Sequence, residues 1–141
     1  MFLQADYSPA AMAERLGDEV LDELQSVAID AARVAGEYVM SRFDTELTIE
    51  KKEDATRSLV TEVDRESQRL LTELINERFP DHHVLGEEDA PDEEPAAPDF
   101  IWAVDPVDGT TNYANSLPCY AVSVAVLYRG IPVAAACFVP W

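Results

Sequence analysis

The sequence predicts an α+β fold in which two main helices pack on a mainly antiparallel sheet. Apolar residues recur at helical spacing mostly within the first 80 residues, and strand-length apolar segments dominate the rest. Helices that cluster early and strands that cluster late are typical of this fold class. The chain has 141 residues and is 48% hydrophobic, which suffices for one domain with a substantial core.

Three helices are predicted in the first 80 residues. Residues 1–17 hold a short helix in which Ser8 is the N-cap and a proline occupies the first helical position. The segment from residue 18 to about 43 carries apolar residues at three- and four-residue steps, so one face is expected to be buried. A further helix is expected from about residue 62 to 79, because Pro80 lies just past it.

Turn and loop residues separate the predicted strands. Residues 53–58 and the acidic, proline-rich segment 88–99 are expected to be loops, and 110–115 a short helix. Arg129-Gly130-Ile131 predicts a hairpin between the last two strands. The strands are predicted at 45–51, 83–86, 100–104, 119–128 and 132–140.

The acidic excess restricts the possible partners. With 28 acidic and 10 basic residues, the net charge of −18 argues against nucleic acid or an anionic membrane. Two interpretations remain: a solvated surface suited to high salt, or a dedicated cation-binding protein. Because the acids are spread along the chain, any cation site must be argued locally.

Other features favour a cytoplasmic protein. No apolar run approaches the roughly 18 residues of a membrane helix, and the first ten residues lack the basic start of a signal peptide. Cys119 and Cys137 lie in apolar stretches without metal-ligand spacing. We therefore expect both to be reduced core residues.

The segment FIWAVDPVDGTTN, residues 100–112, is the most informative stretch. Its apolar run ends at Asp105, and Asp108 follows three residues later across a proline. An ordinary turn is one interpretation of this composition. However, Asp105 directly follows a buried run, and two carboxylates held in one turn repel each other unless a cation bridges them.

A third carboxylate follows another short apolar strand. If strands 83–86 and 100–104 run side by side, Glu87 joins the two aspartates. Three hard oxygen ligands suit Mg²⁺, with Mn²⁺ as a possible substitute, and the carbonyl of Val107 would add a fourth. Next to them, the amides of Gly109, Thr110 and Thr111 open the predicted short helix and would attract a phosphate group.

Asp64 has two interpretations. Thr61-Glu62-Val63-Asp64 opens the third helix, so the negative charge of Asp64 would stabilise the N-terminus of that helix. Alternatively, Asp64 orients the hydroxyl of Thr110, which together with Glu87 polarises an attacking water. His82 and His83 are interpreted as surface histidines, and either Lys51 or Lys52 would contact phosphate or lie at a solvated strand end.

Three motifs together resemble the inositol monophosphatase-like family of magnesium-dependent, lithium-sensitive phosphatases, which includes archaeal-type fructose-1,6-bisphosphatases. They are LVTEVDRESQ at 59–68, GEED at 86–89 and WAVDPVDGTTNY at 102–113, and the similarity runs from about residue 20 to the end. The resemblance implies a layered α/β/α/β/α sandwich, a small phosphorylated substrate, inhibition by Li⁺ and a homodimer. The whole chain, 1–141, would be the N-terminal metal- and phosphate-binding part, with the C-terminal half absent.

The resemblance also implies residue roles. Glu87, Asp105, Asp108 and the Val107 carbonyl would be metal ligands, and the amides of Gly109 and Thr110 would contact phosphate. Asp64 and Thr110 would activate water.

The match to the family is incomplete. Ser58 stands where the family has an aspartate, and the family's second half carries a further aspartate ligand. The sequence therefore predicts a phosphomonoesterase acting on an inositol monophosphate or fructose 1,6-bisphosphate type of substrate. Two alternatives remain open: an incomplete metal-binding fragment that needs a partner, and an acidic, salt-adapted domain without a site.

Overall fold

The computed structural model describes residues 8–43, 49–51, 59–87 and 98–140. The helices are α1 (Pro9–Leu16), α2 (Asp18–Arg42), α3 (Glu62–Arg78) and α4 (Thr110–Ala114). The strands are β1 (Ile49–Lys51), β2 (Leu59–Thr61), β3 (His83–Gly86), β4 (Phe100–Asp108), β5 (Ala121–Tyr128) and β6 (Ile131–Phe138). Predictions for 44–48, 52–58 and 88–97 lie outside the described residues.

The helices begin and end where the sequence signals predict. The Oγ of Ser8 accepts a hydrogen bond from the Ala11 amide at 3.2 Å, which caps α1 as expected. Gly17 separates α1 from α2 with a φ of 81°, a conformation that favours glycine. In α2 the alanine-rich stripe is buried, including Ala28 and Ala35, because small side chains let the helix approach the sheet closely.

The main sheet has four strands in the order β3-β4-β5-β6. β3 and β4 are parallel, whereas β4–β5 and β5–β6 are antiparallel, so the sheet is mixed. Helix α2 packs on β5 and β6, and α3 packs on β4 and β3. The predicted α+β class with two main helices on a sheet is confirmed. A separate antiparallel pair, β1 and β2, includes a strand that the sequence did not predict.

The β5–β6 hairpin turns at the predicted place. Arg129 and Gly130 both have positive φ, 51° and 81°, as a tight two-residue turn between twisted strands requires. The Arg129 amide donates to the Asp99 carbonyl at 2.7 Å, and its guanidinium pairs with the Asp99 carboxylate. The turn is thereby tied to the start of β4.

The core lies between the helices and one face of the main sheet. Trp102, Val124, Val126 and Leu71 are fully buried there. The alternating burial along β5 shows that every second residue faces the helices. The other face of the sheet is less covered, since Leu85 is 53% exposed.

Two interpretations of single residues were wrong. Cys119 and Cys137 are free, as expected, but both are exposed rather than part of the core. His82 is half-buried and stacks between Phe79 and Phe100, with ring centroids 4.5 and 4.4 Å away. Its Nδ1 accepts a hydrogen bond from Trp102 Nε1 at 3.0 Å, so its ring belongs to an aromatic cluster.

In the part of the chain that the structure describes, none of the helices combines the length and apolar character needed to span a membrane.

The contact between α2 and β6 generates a stability prediction. A β-carbon on Gly36 would overlap the ring of Phe138. Gly36→Ala should therefore destabilise the fold by about 1–3 kcal/mol, the usual cost of overpacking, although glycine-to-alanine normally stabilises a helix. Urea unfolding of Gly36→Ala should show a smaller loss in a Phe138→Leu background, and equal losses in both backgrounds would contradict the contact.

His82 generates a pH prediction. Burial lowers its pKa below the ordinary value of 6.5, with a smaller opposing effect from the charge of Asp81. The folded chain therefore binds this proton less readily than the unfolded chain, so the stabilising contribution is present above pH 6.5 and is lost as the pH falls through the lowered pKa.

The free energy of unfolding, compared between pH 7.5 and 5, should fall more for the wild type than for His82→Phe. His83→Asn is the control and should behave as the wild type does. An identical pH dependence in the wild type and His82→Phe would contradict the prediction.

Candidate active site

Strands β3 and β4 bring the first two carboxylates together. Gly86 pairs with Val104 in the parallel register, and the Glu87 amide donates to the Val104 carbonyl at 3.2 Å. Glu87 and Asp105 therefore follow paired residues at the same end of the sheet. The condition on which the sequence argument depended, that these two strands run side by side, is met.

β4 continues past Asp105, through a bulge, to Asp108. Asp105 pairs with Ser123 and Asp108 with Ala121, so β4 advances three residues while β5 advances two. The predicted strand end at residue 104 was too early, because a bulge accommodates a proline within a strand. The amide of Val107 donates to Asp105 Oδ1 at 3.2 Å, which holds the carboxylate against its own turn.

The turn into α4 depends on glycine. Gly109 has a φ of 94°, and a β-carbon there would lie 2.9 Å from the carbonyl oxygen of Cys119. Thr110 then begins α4, and its hydroxyl donates to the Val107 carbonyl at 2.9 Å. The start of this helix is thus joined to the bulge that carries the aspartates.

These segments surround one cavity of about 250 Å³. It is lined by every residue that the sequence predicted as a metal ligand or phosphate contact: Glu87, Asp105, Val107, Asp108, Gly109, Thr110 and Thr111. Three carboxylates therefore share an open cavity with the backbone at the start of a helix. The roles of these residues stay predictions.

The carboxylates interact strongly in this cavity. Burial, which is the largest cause, acts together with the charges of Glu87 and Asp108 to raise the pKa of Asp105 from its ordinary 3.8 to about 7. A hydrogen bond between the Glu87 and Asp105 side chains adds to the effect, and the Val107 amide opposes it. Protonation of Asp105 relieves the repulsion when no cation does so.

The cavity fits a divalent ion by its chemistry, since its side-chain donors are hard oxygens. Across residues 8–43, 49–51, 59–87 and 98–140, however, no group of three or more histidine, cysteine, aspartate or glutamate side chains is placed so that it could hold a metal ion as it stands. An ion bound here would have to replace the proton on Asp105, and side chains would have to reorient around it.

Asp64 lies behind this cavity rather than in its lining. It is 1% exposed in the first turn of α3. The pKa of the buried Tyr113 hydroxyl is raised chiefly by burial, and the charge of Asp64 contributes a smaller part, which puts Asp64 near α4. Thr110 uses its hydroxyl proton on Val107, so the predicted partnership of Asp64 with Thr110 stays untested.

The sequence argument missed two polar residues near the site. Ser67 and Gln68 are buried on the same face of α3 as Asp64. Their Oγ and carboxamide reach the segments that carry the carboxylates. The available signal was their spacing, because residues 63, 64, 67, 68 and 71 share one face of a helix.

The model of the inositol monophosphatase family matches residues 20–140. This chain belongs to the inositol monophosphatase family. The family resemblance seen in the three sequence motifs is confirmed, and membership supports a phosphatase.

Curated relatives of this inositol monophosphatase family member carry two kinds of name. The chain is 41% identical to the chloroplastic phosphatase IMPL1 of Arabidopsis thaliana over 105 residues, which are 74% of its length. It is 37% identical to the inositol-1-monophosphatase of Synechocystis over 82% of the chain, and 33% identical to the Nus factor SuhB of Escherichia coli over 74%. The chain spans only 28 to 39% of the length of these relatives.

Solved structures show the same fold. The Thermotoga maritima IMPase superposes with a TM-score of 0.73 at 31% identity, covering 84% of this chain and 44% of that one. The SuhB protein of Bartonella henselae gives 0.74 at 28% identity, with 84% and 45% covered. A staphylococcal IMPase solved with its products gives 0.60 at 25% identity, with 89% and 44% covered.

The raised pKa of Asp105 generates a prediction for the metal-free family member. Between about pH 4 and 7 the folded chain keeps a proton that the unfolded chain releases, so stability should decrease as the pH rises through this window. In EDTA, the unfolding free energy of Asp105→Asn should decline less over this range than that of the wild type.

Asp99→Asn is the matched control, because Arg129 lowers the pKa of this exposed carboxyl. Removing Asp99 should leave the decline from pH 4 to 7 in place. Parallel curves for the wild type and Asp105→Asn would show that Asp105 carries no raised pKa.

Proposed function

We propose that this chain is the metal- and phosphate-binding part of a phosphomonoesterase that hydrolyses a small sugar or polyol phosphate. The observation that carries the proposal is the convergence of Glu87, Asp105 and Asp108 on one cavity beside the start of α4. Family membership supports the same class of reaction. Mg²⁺ is the proposed ion, with Mn²⁺ as a substitute and Li⁺ as an inhibitor.

Metal binding would be shared by the two strand ends. Glu87, Asp105 and Asp108 would supply carboxylate oxygens, and Val107 its backbone carbonyl. When bound, a divalent ion supplies positive charge that offsets the phosphate and makes a nearby water more acidic. The pKa of Asp105 is raised by burial and by repulsion from Glu87 and Asp108, and this unfavourable environment for a bare negative charge is the physical reason for these residues to accept a cation.

Substrate binding would use the other side of the cavity. The amides of Gly109, Thr110 and Thr111 stand at the start of α4, where N–H groups lack acceptors within the helix and favour an anion. A phosphoryl group held there would lie beside the carboxylates. A neighbouring cavity of about 470 Å³ shares Asp108 and Gly109, and it offers room for the alcohol part of the substrate.

Water activation would fall to three residues. Glu87 would accept a proton from the attacking water, Thr110 would orient that water, and Asp64 would hold Thr110. In-line attack then displaces the alcohol from phosphorus. In this arrangement the hydroxyl of Thr110 would turn from the Val107 carbonyl toward Asp64 or the water.

A second candidate is a metal-binding fragment that needs a partner for activity. The chain spans 28 to 39% of the length of these curated relatives. Phosphate release by the isolated chain separates the two. Ordinary enzymatic rates would reject the fragment, whereas Mg²⁺ binding without turnover would support it.

Localisation and assembly stay predictions. A cytoplasmic homodimer is expected for the whole protein, with no nucleic-acid or membrane partner.

Asp105→Asn tests the proposal in the full-length protein. The change removes one negative charge from the cavity, so Mg²⁺-dependent phosphate release from inositol monophosphate and fructose 1,6-bisphosphate should fall at least about 100-fold. Asp99→Asn, which removes the same charge just before the opposite end of β4, should keep wild-type turnover. Near-normal turnover of Asp105→Asn would reject the assignment.

A further inference from the structure

The buried face of α3 changes character along its length. Leu71 and Ile75 are fully buried in the second half, as in an ordinary core. The first half instead buries Asp64, Ser67 and Gln68, at 1, 0 and 8% exposure. Polar groups are costly to bury unless they form hydrogen bonds, so such a concentration at one helix end requires a reason.

Ser67 contacts the bulge in β4. Its Oγ donates to the Pro106 carbonyl at 3.1 Å in a buried setting. Pro106 lies between the two aspartates, within the stretch where β4 has one residue more than β5. A bulge interrupts the regular ladder of backbone hydrogen bonds. Ser67 therefore fixes a backbone group of the segment that carries Asp105 and Asp108.

Gln68 contacts the end of β3. A β-carbon on Gly86 would overlap the Gln68 carboxamide, so the side chain lies directly against the glycine backbone. Gly86 is buried, and Glu87 is the next residue. The position of this carboxamide sets how closely the end of β3 approaches α3.

We propose that Ser67 and Gln68 are positioning residues that set the spacing of Glu87 from Asp105 and Asp108 for a divalent cation. They are consecutive residues of one rigid helix, and each holds one of the two carboxylate-bearing segments. A single turn of α3 therefore contacts both segments and fixes their positions relative to each other. The inference rests on the proposed function, since it concerns the same cavity.

Metal affinity is the first readout. Loss of partners behind the metal ligands typically costs about 10–100-fold in affinity. In the full-length protein, Ser67→Ala and Gln68→Met should each weaken Mn²⁺ binding, measured by electron paramagnetic resonance, by at least about tenfold. Leu71→Val is the matched control, because it perturbs the same buried face of α3 but contacts neither segment through a polar group; its Mn²⁺ affinity should stay within about twofold of the wild type.

Amide hydrogen exchange is the second readout and needs no metal. The Val107 amide, bonded to Asp105 Oδ1, should exchange faster in Ser67→Ala, while the Ala125 amide in the central ladder should not change. In Leu71→Val, the ratio of the exchange rates of the two amides should be the same as in the wild type. A general loss of stability would accelerate both amides together.

The outcomes separate the two proposals. If the wild type binds Mn²⁺ and both variants bind it equally well, the positioning role is rejected and the proposed function stands. If the wild type does not bind Mn²⁺ at millimolar concentration, the proposed function fails, and unchanged Val107 exchange in Ser67→Ala would reject the positioning role as well. Selective loss of affinity together with selective exchange supports the inference.

Discussion

Mutual repulsion among Glu87, Asp105 and Asp108 is the constraint that the rest of the structure has to overcome. Like charges at one cavity oppose the folded arrangement, and they add to the larger effect of burial in raising the pKa of Asp105. The fold holds the three groups together by strand pairing, by the bulge in β4 and by contacts from α3. Such an arrangement has a cost in stability that a bound cation would relieve.

The other charges of this acidic chain behave differently. Arg69 pairs with Glu66 and Glu73 on the exposed side of α3, and Arg129 pairs with Asp99 at a turn. These side chains are 39 to 66% exposed, so solvent screens their pairs and each contributes little. Net charge alone therefore says little about the site. What distinguishes the cavity carboxylates from the many other acids on the surface is that three of them line one cavity, with Asp105 partly buried.

Much of the site was predictable because it depends on local backbone chemistry. Asp105 follows an apolar strand, Gly109 takes a positive φ, and Ser8 caps a helix, each for a reason that short stretches of sequence contain. The adjacency of Glu87 and Asp105 needed one further assumption, that the two strands run side by side; their parallel direction was not predicted.

Features that depend on tertiary contacts were not predictable in the same way. The three residues of β2 are too few to show an alternating pattern. The proline in β4 suggested the end of a strand, and the bulge that accommodates it is defined only by the pairing of β4 with β5. The exposure of Cys137 follows from a sheet face that the described helices do not cover, and the position of His82 follows from stacking between distant rings. The polar side chains of Ser67 and Gln68 are of types that usually lie in solvent, so nothing in their residue types indicated that they are buried against other segments.

The parallel register of β3 and β4 has a consequence for evolution and for engineering. Glu87 and Asp105 are 18 positions apart in sequence, yet the pairing of Gly86 with Val104 sets their spatial separation. The number of residues joining the two strands is therefore not what determines the distance between the acids. As long as that register is kept, a change in the length of the connection, in a homologue or in an engineered variant, should leave the two acids at the same end of the sheet.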